Sequence, residues 1–231
     1  MEKVTFIIDK NLDFKNHLIM EKVTEKAPVE PKVAEYYKKM READDAGKFA
    51  IFEKESEKFY SDEMKPFRDI LAHQVQELWD SLSDEYIKRM EKIHHNPFPF
   101  EKVSGVLTTA PFGYGYKFNE TNPWFACIKD SPIKAVHTAM HEIMHAFFNK
   151  YFASEIEEKY KITEKQVWLI SEALTVLLNL EFDDIRMIPD RGHPGHEELR
   201  NFIKESWLKN KDLDKVLEDV CLNYFKEGSE K

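Results

Sequence analysis

The sequence predicts an α+β fold that is predominantly helical, with a small β-sheet packed on a helix that carries paired histidines. Three observations lead there. Apolar residues recur at three- and four-residue spacing over most of the chain. Glycine occurs only 7 times in 231 residues, while helix-forming Glu, Lys and Leu are abundant. One internal stretch, Lys102 to Lys129, is instead rich in β-formers and turn residues. A chain of this length buries a substantial core without disulfide staples.

In chain order, Val4 to Ile8 reads as a short strand and Leu12 to Val23 as a helix. Pro28 and Pro31 punctuate the chain, because the residue before a proline is pushed out of the helical region. From Val33 to Ile93 the pattern is helical and charged, with breaks expected near Gly47 and Ser61 and a new helix start at Ser83-Asp84-Glu85-Tyr86. Phe49, Phe52, Phe59 and Tyr60 are expected to pack these helices together. The character changes at Asn96-Pro97-Phe98-Pro99-Phe100. Two or three strands follow, the clearest being Val103 to Thr109 and Trp124 to Ile128. After Ser131-Pro132 the chain returns to helix almost to its end. The change near Asn96 divides a mostly helical region, 1–95, from a second region, 96–231, either as two domains or as parts of one.

The net charge of -9 has both signs interspersed, so no basic footprint for nucleic acid is present. No run of apolar residues reaches the length of a membrane span. The start, Met1 to Asp9, lacks a secretory pattern, and the two cysteines, Cys127 and Cys221, are far apart. Reduced thiols in a cytoplasmic protein are therefore expected.

The chemistry is concentrated in His141-Glu142-Ile143-Met144-His145, an H-E-x-x-H sequence. Residues four apart share one helix face, so both imidazoles can converge on one metal ion. Glu142 lies about 100° around the axis, within reach of a water at that ion without being a ligand. Ser131 and Pro132 suit a helix start, and Ile133, Val136, Met140, Ile143 and Phe147 form an apolar stripe away from His137, His141 and His145. The competing reading is two solvent-exposed histidines on a surface helix.

Catalytic zinc takes three protein ligands and one open position. Glu172 is the best third candidate. Thr163 with Gln166 resembles a capping box, and the run Trp168 to Leu178 behind it is apolar nearly all round. A carboxylate inside such a helix is costly without a cation to receive it. Asp183, Asp184, His193 and His196 are the fallback ligands, and a Glu paired with Lys or Arg at a helix edge is the alternative explanation for Glu172.

His141-Glu142-x-x-His145 followed on the next helix by Ser171-Glu172-Ala173 resembles the gluzincin branch of the zinc metallopeptidases. The resemblance spans about Lys102 to Asp184 and implies a zincin-like core. It also implies Zn2+ as cofactor, His141, His145 and Glu172 as metal ligands, Glu142 as general base, and a peptide or protein as substrate. Some gluzincins place an Asp four residues after the ligand Glu to orient a histidine. Here Val176 stands at that position, with Thr175, Asn179 or a backbone carbonyl as substitutes. His193, His196, Tyr114 and Tyr116 are candidates to steady a developing oxyanion, and the two clear strands are candidates to pair with an extended peptide. The alternative function is a non-catalytic, zincin-like binding or regulatory protein.

Overall fold

The computed structural model describes residues 3–25, 29–111, 116–119, 121–192 and 195–225. Two compact units are formed, Met1–Ser81 with Phe100–Ala139, and Leu82–Pro99 with Met140–Lys231. The architecture is mostly helical with one four-stranded mixed sheet, an α+β arrangement. Among the described residues no helix is long and apolar enough to cross a membrane.

The first unit contains the sheet, in the order β1 (Val4–Ile7), β2 (Val103–Thr108), β4 (Trp124–Ile128), β3 (Tyr116–Lys117). The first three strands are parallel and β3 is antiparallel to β4. A parallel interior strand is covered on both faces, which explains why β2 and β4 read as nearly continuous apolar runs. β2 lies between β1 and β4, so the expectation of a free edge there is not met, while on β4 the pairing with β3 covers Trp124 and Phe125. Phe6, Gly105 and Phe125 form one rung across three strands. The Phe6 and Phe125 rings meet edge to face, 6.5 Å apart, beside Gly105.

Helices α1 (Lys10–Val23), α2 (Pro31–Glu42) and α3 (Asp45–Tyr60) belong to the same unit. Pro28 lies outside the described residues. The break expected near Gly47 falls at Ala43 and Asp44, because the Asp44 carboxylate caps the Gly47 amide at 2.8 Å and draws Gly47 into the first turn of α3. Met20, Tyr37, Met40 and Ala110 form a core with Phe14, Leu18 and Ile51 packed on it. Phe49 and Phe52 sit against Phe14, and Tyr60 against Phe52, as expected of helix-packing aromatics.

At the end of β2 a buried polar knot ties α1 to the sheet. Asp13, fully buried, accepts hydrogen bonds from the hydroxyls of Thr108, Thr109 and Tyr60 and from the Thr109 amide. His17, an isolated histidine in the sequence, bonds Thr109 Oγ1 at 3.0 Å and the Tyr36 hydroxyl at 3.0 Å. Each carboxylate and imidazole edge finds a partner, which is the condition for burying such groups.

Helix α4 (Lys65–His94) passes from the first unit to the second and runs unbroken through Ser83, where the sequence predicts a new start. No glycine or proline interrupts it between Phe67 and His95, so a serine alone does not end the helix. His95, with φ of 52°, terminates it in the left-handed conformation.

The second unit continues with α5 (Pro132–Tyr151), whose first two turns lie in the first unit. It then contains α6 (Ala153–Tyr160), α7 (Glu164–Leu174), α8 (Leu177–Glu181), α9 (Glu197–Asn210) and α10 (Leu213–Asp219). Helix α9 packs on α7 and α10. The predicted capping box is formed by Thr163 and Gln166 at the start of α7. The helix predicted to continue through Leu178 is interrupted at Thr175, whose hydroxyl lies 2.7 Å from the Glu172 carbonyl. That run is also not buried all round, because Trp168 is 43% exposed.

Candidate functional site

His141 and His145 stand one turn apart on α5, with ring centroids 4.6 Å apart. The helix is fixed beneath them by the buried Tyr86 hydroxyl, which donates to the Met140 carbonyl at 2.5 Å. Of the predicted stripe, Val136, Met140, Ile143 and Phe147 are fully buried and Ile133, in the first turn, is partly buried. The opposite side is enclosed as well: His137, which lies away from the apolar stripe, is only 9% exposed.

Glu172 comes from α7, and the structure brings it to the histidine pair. Its carboxylate oxygens lie 4.0 Å from His141 Nε2 and 3.7 Å from His145 Nε2, while the two Nε2 atoms are 2.9 Å apart. One ligand atom from each of the three residues lies within 4.8 Å of the others, a group that could hold a metal ion. Ligand atoms around tetrahedral zinc are about 3.3 Å apart, from bond lengths of roughly 2.0–2.1 Å. The observed separations bracket that spacing.

The outer edges of both rings are held. Ser171 Oγ lies 2.8 Å from His145 Nδ1, so consecutive residues, Ser171 and Glu172, address opposite edges of one imidazole. His141 Nδ1 donates to Asp190 Oδ2 at 2.8 Å. Such outer partners orient metal-binding histidines and fix which nitrogen carries the proton.

Asp190 itself is held from several sides. Its amide and carbonyl pair with the Asn179 side chain at 2.6 and 2.7 Å. Its Oδ1 accepts from the Gly192 amide at 3.0 Å and lies 2.9 Å from Thr175 Oγ1 and 3.3 Å from Arg200 Nη2. Thr175 and Asn179, candidates from sequence for the place of the Asp absent at Val176, both contact Asp190, which in turn holds His141.

The electrostatics follow from burial and these neighbours. Burial lowers the His141 pKa, but the Asp190 hydrogen bond and charge, with Glu142 and Glu172, leave it raised above 6.5. Burial and the neighbouring His141 charge drive His145 well below the ordinary imidazole value. Asp190 would be raised by burial, yet its bond to His141 and the charges of His141, Arg200 and Arg186 hold it low. Glu142 is 2% exposed, and burial, with Glu172 and Asp190 adding and His141 opposing, pushes its carboxyl up to about 8. Its Oε2 is buried without a hydrogen-bond partner among the described residues. A buried carboxyl oxygen without a partner, one residue from His141, suits a site completed by a further polar ligand.

The other sequence candidates make different contacts. Asp184 forms a two-pronged ion pair with Arg89 at 2.6 and 2.7 Å, and Asp183 is exposed. His196 is buried and meets the Trp168 ring edge-on at 5.4 Å. Tyr116 stacks on Phe118 in the first unit, as a sheet-packing residue does. His193 and Tyr114 lie outside the described residues. Sequence reasoning missed Asp190 and Arg200. Asp190 reaches His141 across 49 residues from an irregular segment, so no periodicity marks it.

Compared with known proteins, the chain matches no family model, no curated protein and no solved structure.

Proposed function

We propose that this chain is a zinc-dependent hydrolase, a metallopeptidase of gluzincin type with a zincin-like core. In it His141, His145 and Glu172 hold Zn2+ and Glu142 is the general base. The observation that carries the reading is the convergence of two imidazole nitrogens and a carboxylate from α5 and α7, each imidazole held at its far edge by a polar partner. The two lone pairs would repel at 2.9 Å unless a proton or a cation lay between them. Nitrogen and oxygen donors in this number and spacing suit zinc with an open position.

When bound, zinc supplies Lewis acidity that acidifies water and polarises a carbonyl. The remaining work falls to the protein. Glu142, adjacent in sequence to a ligand and poorly solvated, takes a proton from the attacking water as the C–O bond forms. It then delivers that proton to the leaving nitrogen as the C–N bond breaks. Asp190 and Ser171 keep the imidazoles oriented while this proceeds. The proposed substrate is a peptide or protein. The free, buried thiols Cys127 and Cys221 suit a reducing compartment, the cytoplasm.

The test is elemental analysis of purified protein with a peptide-library cleavage assay on wild type and Glu142→Gln. About one zinc per chain in both proteins, with cleavage only by wild type, supports the proposal. Zinc without turnover in wild type favours the non-catalytic alternative. Absence of stoichiometric metal from both refutes the metal centre.

A further inference from the structure

Arg200, on α9, is 7% exposed and meets the site through Asp190. Its Nη1 donates to Thr175 Oγ1 at 2.6 Å, and its Nη2 donates to the Asp190 carbonyl at 3.0 Å and stands 3.3 Å from Asp190 Oδ1. One planar group thus spans the backbone and side chain of Asp190 and the hydroxyl beside them. Gly192 leaves room for it: a Cβ there would fall 2.5 to 2.8 Å from the Arg200 side chain, and its φ of +64° favours glycine independently.

The geometry points to Arg200 as a positioning residue: by fixing the Asp190 carboxylate it keeps the imidazole proton of His141 on Nδ1 and leaves Nε2 open towards His145 and Glu172. The consequence for metal binding rests on the function proposed above, whereas the placement of the proton is a property of the protein alone.

The argument is one of hydrogen-bond capacity. A neutral imidazole has one N–H, and an ionised carboxylate only accepts, so Asp190 at 2.8 Å draws that proton to Nδ1. A carboxylate can rotate about its Cβ–Cγ bond, and a rotated Asp190 would release the ring. Arg200, Gly192 and Thr175 hold Oδ1, so Oδ2 stays directed at His141. Lysine cannot reproduce this hold, because an ammonium is a point charge without the planar fork. The competing account is that Arg200 only fastens α9 to its neighbours, in which case its loss lowers stability and leaves His141 unchanged.

The decisive experiment is proton NMR of the full-length, metal-stripped chain, following the slowly exchanging Nδ1–H of His141, with zinc affinity measured separately by chelator competition. Arg200→Met is compared with Arg200→Lys and with Ser206→Ala, a control that removes a hydrogen bond to Asp219 from the same helix. The His141 Nδ1–H is expected in wild type and Ser206→Ala, broadened in Arg200→Lys and lost to solvent exchange in Arg200→Met. Zinc affinity is expected to fall about 10- to 100-fold in Arg200→Met, as for other outer partners of metal-binding histidines. Should Arg200→Met not fold, Gly192→Ala, which drives a methyl into the guanidinium, is expected to cause the same loss of the Nδ1–H signal. Retention of that proton in a folded Arg200→Met or Gly192→Ala variant, or equal zinc affinity in wild type and Arg200→Met, overturns the assignment. If wild type binds no zinc but the proton behaves as described, the metal centre fails and the positioning role stands.

Discussion

The Nε2 atoms of His141 and His145 face one another at 2.9 Å, while their Nδ1 atoms are taken by Asp190 and Ser171. With one proton held on Nδ1 by Asp190, a second proton taken up by His141 on acidification would fill that gap, the direction in which its pKa is raised and that of His145 depressed.

Zinc must displace this proton. Binding is therefore expected to release about one proton below the His141 pKa, with affinity falling roughly tenfold per pH unit as the solution is acidified and levelling off above that pKa. Calorimetry in buffers of different ionisation enthalpy reads the released proton directly. Affinity independent of pH would exclude a shared proton at this position.

In the proposed site Glu172, with its carboxylate oxygens 4.0 and 3.7 Å from the two Nε2 atoms, is the third ligand and Glu142 the general base. Glu172→Gln is expected to weaken zinc binding at least tenfold. Glu142→Gln is expected to keep zinc and lose about 10²- to 10⁴-fold in turnover, the usual contribution of a general base. Equal zinc affinity in Glu172→Gln and wild type would remove Glu172 from the ligand set.

His94 is buried against Phe147, ring centroids 4.7 Å apart, and burial lowers its pKa to about 4 despite the hydrogen bond to the Met90 carbonyl. The unfolded chain protonates this imidazole near 6.5, so its contribution is complete above that pH. It is lost between 6.5 and about 4 as the unfolded state takes up the extra proton. The full loss is about 3 kcal/mol at 1.36 kcal/mol per pKa unit. The stability difference between wild type and His94→Phe, from urea unfolding at pH 7 and pH 4, should shift against wild type by that order. A difference constant with pH would mean that His94 titrates normally in the fold.

At the centre of the sheet, a Cβ on Gly105 would lie 2.7 Å from two ring atoms of Phe6 and 3.3 Å from Phe125. Gly105→Ala is expected to cost about 1–3 kcal/mol through overpacking. Gly105→Ala in a Phe6→Leu background should recover part of that loss. Thermal unfolding measures both, and a neutral Gly105→Ala would show that the rung relaxes freely.

Local sequence determined several features before any tertiary contact was known. Periodicity located the principal helices, continuous apolar runs located β2 and β4, and Thr163 with Gln166 marked the start of α7. His141 and His145 were legible as neighbours because i and i+4 always share a helix face, and Glu172 because it is the one carboxylate within the apolar run Trp168 to Leu178. Tertiary structure alone decided that Asp190 and Arg200 stand behind His141, that Asp13 and His17 join a buried knot, and that both long strands are interior. The physical reason is range. Helix propensity and periodicity act over a few residues, whereas a hydrogen bond between His141 and Asp190 depends on where chain segments 49 residues apart finally pack.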